Sequence, residues 1–338
     1  MTISTKLVSR SGLKDEPQMY ANGDPLTGKY IKVHAVGATM RVRNVISILL
    51  LSCVYLFIFN HIGGLRILDA MTSITWWSVT LATLALMVAV LSEYVRWVIL
   101  IRSVDKMISH WTLFPTFLTG YVLIFLPSKS GEMVRYVYLH KRNVPFQKTI
   151  PIHFITNLLN LAVILLFTVP VFTHYGQMSM FWGAIGTTVI TLGILRYPTL
   201  FLQPLKSVRW IKDIKAVQHL RTALKSSRNM MSWRNLTKGG LLTALHYLAL
   251  WGIIYAMASP LTDISPWFIF GVIAFSLIAS VLSALPLGGG IIEIVSISLL
   301  STFMTASTAA ALVISFRVIS VGLTSLMGLC ALLYLRGR

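Results

Sequence analysis

Charge is what this sequence has least of. Asp, Glu, Lys and Arg make up 12% of its 338 residues, roughly half the share usual in a soluble chain. Hydrophobic residues make up 56%, more than one core of a soluble domain conceals, so that class is excluded. Acidic residues are scarcer than basic ones, ten against 29, and the formal net charge is +19. In a soluble protein such a balance would point to nucleic acid. Here Lys and Arg collect in the tail before residue 44 and in the connections 102–111, 128–149 and 204–238. A positive-inside bias and anionic lipid headgroups account for that placement, so no nucleic-acid partner is expected.

Cysteine is nearly absent. Cys53 and Cys330 both lie in apolar runs, which leaves no disulfide framework and indicates no redox compartment. The eight histidines show no metal-ligand spacing, and HExxH, CxxC, GxSxG and Walker-type sequences are missing. The chain therefore reads as a non-enzyme with no metal and no cofactor. Residues 1–43 mix Lys, Arg, Asp, Gly and Pro with no apolar core of signal-peptide type, and they read as a basic, disordered cytoplasmic tail.

What the sequence does have is apolar length. Crossing about 30 Å of hydrocarbon takes about 20 helical residues. Spans are expected at 44–60, 74–101, 150–173, 179–203, 239–259 and 306–335. The connection after the first span carries only Arg66 and Asp69 and reads as an outer loop, whereas the basic turn at 102–111 reads as cytoplasmic. Segment 204–238 carries nine Lys or Arg against one Asp, with Trp210, Ile214, Val217, Leu220 and Leu224 at helical spacing. It reads as an amphipathic helix on the cytoplasmic leaflet, with Arg221 near its apolar stripe.

Two apolar runs stop short. Residues 112–126 end at Leu126-Pro127, and Gly131 follows before the chain resumes through Val134 and Val137. Residues 267–285 end at Leu285-Pro286 and the triglycine Gly288-Gly289-Gly290, then resume as IIEIVSISLLSTF. Proline removes a donor and glycine frees the backbone, so each run should break and return as a re-entrant hairpin. The flanking turns are basic for 112–140 and free of Lys and Arg for 267–304, so the hairpins enter from opposite faces. The fold expected is an all-α polytopic membrane protein: six transmembrane helices plus two re-entrant helical hairpins in an inverted repeat. The repeats run 74–173 and 239–335, and both termini of this multi-pass inner-membrane chain are cytoplasmic. Broken helices in inverted repeats recur in alternating-access carriers.

Ionisable residues at membrane depth are costly and so informative. Glu93 and Arg96 stand three apart on one helix, where they can pair on a shared face, and Glu132 and Arg135 repeat the spacing. Arg317 falls near the middle of the last span, with Glu293 on the adjacent hairpin as the candidate partner. The first tip offers Ser128, Lys129 and Ser130, whose hydroxyls and ammonium suit a phosphate beside freed backbone N–H groups. Gly288, Gly289 and Gly290 would let backbone donors approach a ligand. The bland alternatives are hairpins that Pro and Gly merely shape, and buried bridges that are static. Asn157 and Asn160 share a face of the span after the first hairpin, for helix packing or for a headgroup.

LPSKSGEMVRYVYL at 126–139, ALPLGGGIIEIVSISLL at 284–300 and Arg317 in SFRVISVGLTSLMG resemble the lysylphosphatidylglycerol synthase transmembrane region, a flippase-like (YbhN-type) family. The resemblance covers about 44–335 and implies a lipid-translocating fold with Pro-Gly-broken hairpins. Larger members fuse it to an aminoacyl-transferase domain, and the resemblance gives no ground for aminoacylation here. By likeness Glu132 and Arg135 match the charged positions of the first motif, and Glu293 and Arg317 those of the second. The chain departs from the pattern at Thr156, Asn157 and Asn160, where many members carry charge. The expected function is a translocase that moves an anionic phospholipid or polyprenyl-phosphate-linked lipid between leaflets. Ser128, Lys129, Ser130, Arg135, Gly288 to Gly290 and Arg317 would bind the headgroup; Glu93, Arg96, Glu132 and Glu293 would serve ion pairing or coupling. The alternative is an intramembrane enzyme, or an accessory subunit of a glycosyl- or acyltransferase. Partners expected are the bilayer, an anionic lipid, and a second copy or an envelope-biosynthesis enzyme.

Overall fold

Long apolar runs without breakers leave the backbone one way to satisfy its polar groups in lipid, and that is the helix. The computed structural model describes residues 49, 52–103, 108–122, 132–142, 144–174, 176–197, 230–283 and 290–337. Every regular element among them is helical: this is an all-α polytopic membrane protein. Five of these helices are long and apolar enough to cross a membrane, or six if a bent pair counts as one span. The tail 1–43 and most of the segment 204–238 lie outside the described residues.

The first two elements are α1 (Ser52–Ile62) and α2 (Gly64–Thr72), bent by 86° at their junction. Gly63 makes the bend at φ 93°, a conformation L side chains rarely adopt. The stretch read from sequence as an outer loop is therefore largely helix, with Ile67 fully buried. Helix α2 packs on the first part of the last span. The misreading has a simple cause: nine residues are too few to declare a helix by periodicity, and α2 is held by packing.

Helix α3 (Trp76–Arg102) begins at Thr75, whose hydroxyl caps the N–H of Ser78. The first hairpin comprises α4 (His110–Leu118), a 3-10 turn (Thr119–Tyr121) and α5 (Met133–His140). At nine and eight residues these helices are roughly 12–14 Å long, under half the hydrocarbon thickness. Spans α6 (Phe146–His174) and α7 (Met178–Arg196) follow. Helix α8 (Trp233–Ala258) starts behind the cap Ser232. Residues 233–238, assigned from sequence to the amphipathic segment, thus form the opening turns of a span.

The second hairpin joins α9 (Pro266–Ser283) to α10 (Ile291–Leu300). The last span runs as α11 (Ala306–Arg317), a π-helical segment (Val318–Leu323) and α12 (Thr324–Arg336). Packing between the halves is reciprocal. Helices α3 and α8, each opening a repeat, lie against each other. Span α6 of the first repeat packs on α9 of the second repeat's hairpin, and α12 packs on α4 and the 3-10 turn of the first repeat's hairpin.

Candidate functional site

The buried charges form two networks, one at each hairpin. In the first, Arg135 of α5 is 2% exposed and its Nη1 stands 3.3 Å from Glu93 Oε1 on α3. Its Nε donates to the Phe117 carbonyl at 2.8 Å, where α4 gives way to the 3-10 turn. The guanidinium lies 4.1 Å from the Phe117 ring centroid and 5.1 Å from that of Tyr121. The Tyr121 hydroxyl donates to the other Glu93 oxygen at 2.7 Å. Gly120 is what admits the arginine, since a Cβ there would overlap its Nε. An aromatic cage plus a carboxylate is a common way to bury a guanidinium.

Arg96, one turn beyond Glu93 on α3, does not pair with it directly. Its Nη1 donates to Asn160 Oδ1 on α6 and to Thr243 Oγ1 on α8, each at 2.6 Å. The Thr243 hydroxyl donates to the Gly239 carbonyl, which leaves its lone pairs for the arginine. Arg96 is 2% exposed. Its Nε has no partner, and no carboxylate lies within ion-pair distance of it among the described residues. Glu132 likewise turns away from the pairing its spacing suggested: its Oε2 stands 3.3 Å from His153 Nδ1 on α6. His153 Nε2 in turn lies 3.1 Å from Asn157 Nδ2. His153, Asn157 and Asn160 thus make one polar stripe along α6, reaching from the hairpin to Arg96.

The second network sits at α10. Gly290 caps that helix at φ 79°, and a Cβ there would strike Val54 of α1 at 2.6 Å. Glu293, in the first turn and 1% exposed, accepts from Arg317 Nε at 2.7 Å and from the Tyr55 hydroxyl at 3.2 Å on one oxygen, Oε1. Its buried Oε2 has no partner among the described residues. Ser276 and Ser296 share a hydrogen bond of 2.8 Å that ties α9 to α10. Arg317 is the last α-helical residue before the π segment, a local widening of the helix that often accompanies functional sites.

Of the residues singled out from sequence, Ser128, Lys129, Ser130, Gly288 and Gly289 lie outside the described residues. Glu293 and Arg317 come together. Glu93 and Arg135 come together, whereas the within-helix pairs Glu93–Arg96 and Glu132–Arg135 are replaced by partners on other helices. The reason is geometric: residues three apart share a helix face, and another helix packed on that face offers a partner at shorter range. Tyr55, Tyr121, His153 and Thr243 were missed. The His153–Asn157–Asn160 spacing was a legible signal for one of them; a lone Tyr or Thr in an apolar run gives none.

The model of the lysylphosphatidylglycerol synthase TM region matches residues 44–328, which is most of the chain. No curated protein matches it.

Proposed function

Because this chain belongs to the family of the lysylphosphatidylglycerol synthase TM region, we propose that it is a lipid translocase, moving an anionic phospholipid or polyprenyl-phosphate-linked lipid between leaflets. We place it in the inner membrane with both termini cytoplasmic, after the positive-inside distribution of its connections. The observation that carries the reading is that each hairpin includes a short helix, α5 or α10, with a largely buried arginine–carboxylate contact at it, Arg135 with Glu93 and Arg317 with Glu293. Broken helices beside charge are what a polar headgroup needs in order to cross hydrocarbon. A purely architectural protein gains nothing from two such breaks, each of which forfeits helix length and burden-free burial.

The test is purified protein in liposomes carrying fluorescent phosphatidylglycerol, with leaflet-selective quenching. Wild type should speed exchange at least tenfold over empty liposomes, and Arg317→Ala should remove most of that gain. Equal rates for wild type, variant and empty liposomes would end the proposal. The competing reading, an intramembrane enzyme acting on the same lipid, gains support only if the added lipid returns with an altered mass.

A further inference from the structure

Three helices bring two unlike surfaces into one line. Asn160, Ile164 and Phe167 stand at intervals of four and three along α6, and Thr243, Tyr247 and Trp251 at intervals of four along α8. Each set therefore shares one helix face. The first member of each set holds Arg96, whose Nη1 donates to Asn160 and Thr243 at 2.6 Å. The later members line a crevice that α9 helps to complete with Phe270, Ala274 and Leu277. The cationic end and the apolar end are thus one helical turn apart, about 6 Å.

The apolar end is built largely from rings. Phe167 stands edge-on to Phe270 at 5.3 Å between centroids and to Tyr247 at 6.3 Å, and the Trp251 ring lies 5.0 Å from that of Phe270. The Trp251 indole donates to the Pro266 carbonyl at 3.2 Å, which ties α8 to the start of α9. Helix α9 runs against the other two, with Leu277 packed at the level of Ile164 and Tyr247 and Phe270 at that of Phe167 and Trp251. Phe167, Trp251, Phe270 and Leu277 are only partly buried, and the lining holds no charged side chain. A hydrocarbon chain is the occupant that such a surface accepts at membrane depth.

At the other end a negative charge is missing. Arg96 is buried, its Nε has no partner, and no carboxylate lies within ion-pair distance of it among the described residues. Glu93, three residues back on α3, gives its two oxygens to Arg135 and Tyr121. Two neutral acceptors compensate poorly for desolvating a guanidinium, and an anionic oxygen at Nε would do better. In lipid an apolar crevice alone discriminates little, because the surrounding tails are equally apolar. The charge supplies the selection.

We propose that this seam seats one anionic phospholipid, with an acyl chain in the crevice between α6, α8 and α9 and the phosphodiester at Arg96. Because Arg96 is enclosed, the phosphate is admitted as α6 and α8 part at the seam, and its oxygens then take the place of Asn160 or Thr243 as acceptors. One guanidinium matches the single negative charge of a phosphodiester, whereas a prenyl phosphate, like any phosphomonoester, brings about −1.5 to −2 near neutral pH. A zwitterionic lipid would add a second cation to a site already short of negative charge. The lipid's role as cargo rests on the translocase reading; the seat is tested separately.

The experiment uses the full chain in liposomes whose phosphatidylglycerol, or in a parallel set phosphatidylcholine, carries a diazirine midway along one acyl chain. Cross-linked peptides are identified by mass spectrometry. The exposed face of α7, at Trp182, Val189 and Ile190, reports ordinary lipid contact. With the phosphatidylglycerol probe, label at 164–167, 247–251 and 270–277 should exceed that on α7 at least about tenfold, and with the phosphatidylcholine probe the two should be alike. Arg96→Gln should abolish the excess while leaving the α7 label unchanged. Arg96→Lys, which keeps the charge, should retain part of the excess and so guards against misfolding. Equal labelling of crevice and α7 by both probes, a crevice that neither probe labels, or an undiminished excess in Arg96→Gln overturns the proposal. Unlabelled prenyl phosphate that competes better than unlabelled phosphatidylglycerol at matched mole fraction overturns a phospholipid as the occupant. A phosphatidylglycerol-specific seat without leaflet exchange would sink the translocase and leave the seat standing, and exchange without any excess at the crevice would do the reverse.

Discussion

Three arginines in the spans and hairpins, Arg96 and Arg135 buried and Arg317 half-buried, share one chemistry and meet three fates. Arg135 is neutralised by Glu93 and stacked on Phe117, Arg317 is neutralised by Glu293, and Arg96 is held by neutral acceptors alone. The difference lies in what the opposing helix presents, and for Arg135 it also lies in a residue with no side chain. Gly120→Ala would put a methyl into space already filled by the Arg135 guanidinium. The expected result is a loss of about 1–3 kcal/mol, as for other overpacked cores, read as a lower Tm in detergent. Because the charge would be driven off its carboxylate, Gly120→Ala should also cost more than Ala→Gly changes elsewhere in the spans; an unchanged Tm would show that the arginine has another place to go.

At the scale of elements, the short helices are the unusual ones. Eight residues of α5 are too few for a helix to persist alone, so the first hairpin depends on what grips it. Arg135 grips α3, Glu132 grips α6, and α12 closes over the 3-10 turn through Gly328. A Cβ at Gly328 would lie 2.8 Å from the Leu118 carbonyl oxygen and the Val122 nitrogen, backbone atoms that cannot swing aside. Gly328→Ala is therefore expected to destabilise by about 1–3 kcal/mol. Gly322→Ala, with nothing within 4 Å of its Cβ, should be neutral or slightly stabilising, because it restricts the unfolded chain. Matched thermal melts of the two variants check this, and a reversed order would refute the account of how α12 meets the hairpin.

Across the whole molecule, the reciprocal packing of α6 on α9 and of α12 on α4 makes each repeat's last span the support of the other repeat's hairpin. Alternating access in such a fold would require those supports to shift. A Cβ at Gly271 on α9 would stand 3.1 Å from Val171 Cγ1 on α6, close enough for a disulfide between cysteines at these two positions. In a background lacking Cys53 and Cys330, Val171→Cys with Gly271→Cys should cross-link under oxidation and stop lipid exchange. Reductant should restore it. Full exchange by the cross-linked protein would mean that this seam is static.

The sequence by itself determined that the chain lives in lipid and that two of its apolar runs are too short to cross it whole; the Leu-Pro and glycine positions where it placed the breaks lie outside the described residues, apart from Gly290. Those properties are local: hydrocarbon penalises each unsatisfied backbone group where it stands, so run length suffices. The contact between Glu293 and Arg317 was legible for a related reason, since they lie 24 residues apart in adjacent elements with few other charges to choose from. Only tertiary structure decided that Glu93 serves Arg135, 42 residues on, and that Arg96 reaches Asn160 and Thr243, 64 and 147 residues on. The same holds for the bend at Gly63 and for His153 at Glu132. A buried charge takes the partner that packing brings within about 3 Å, and which helices are brought together is a property of the assembled bundle.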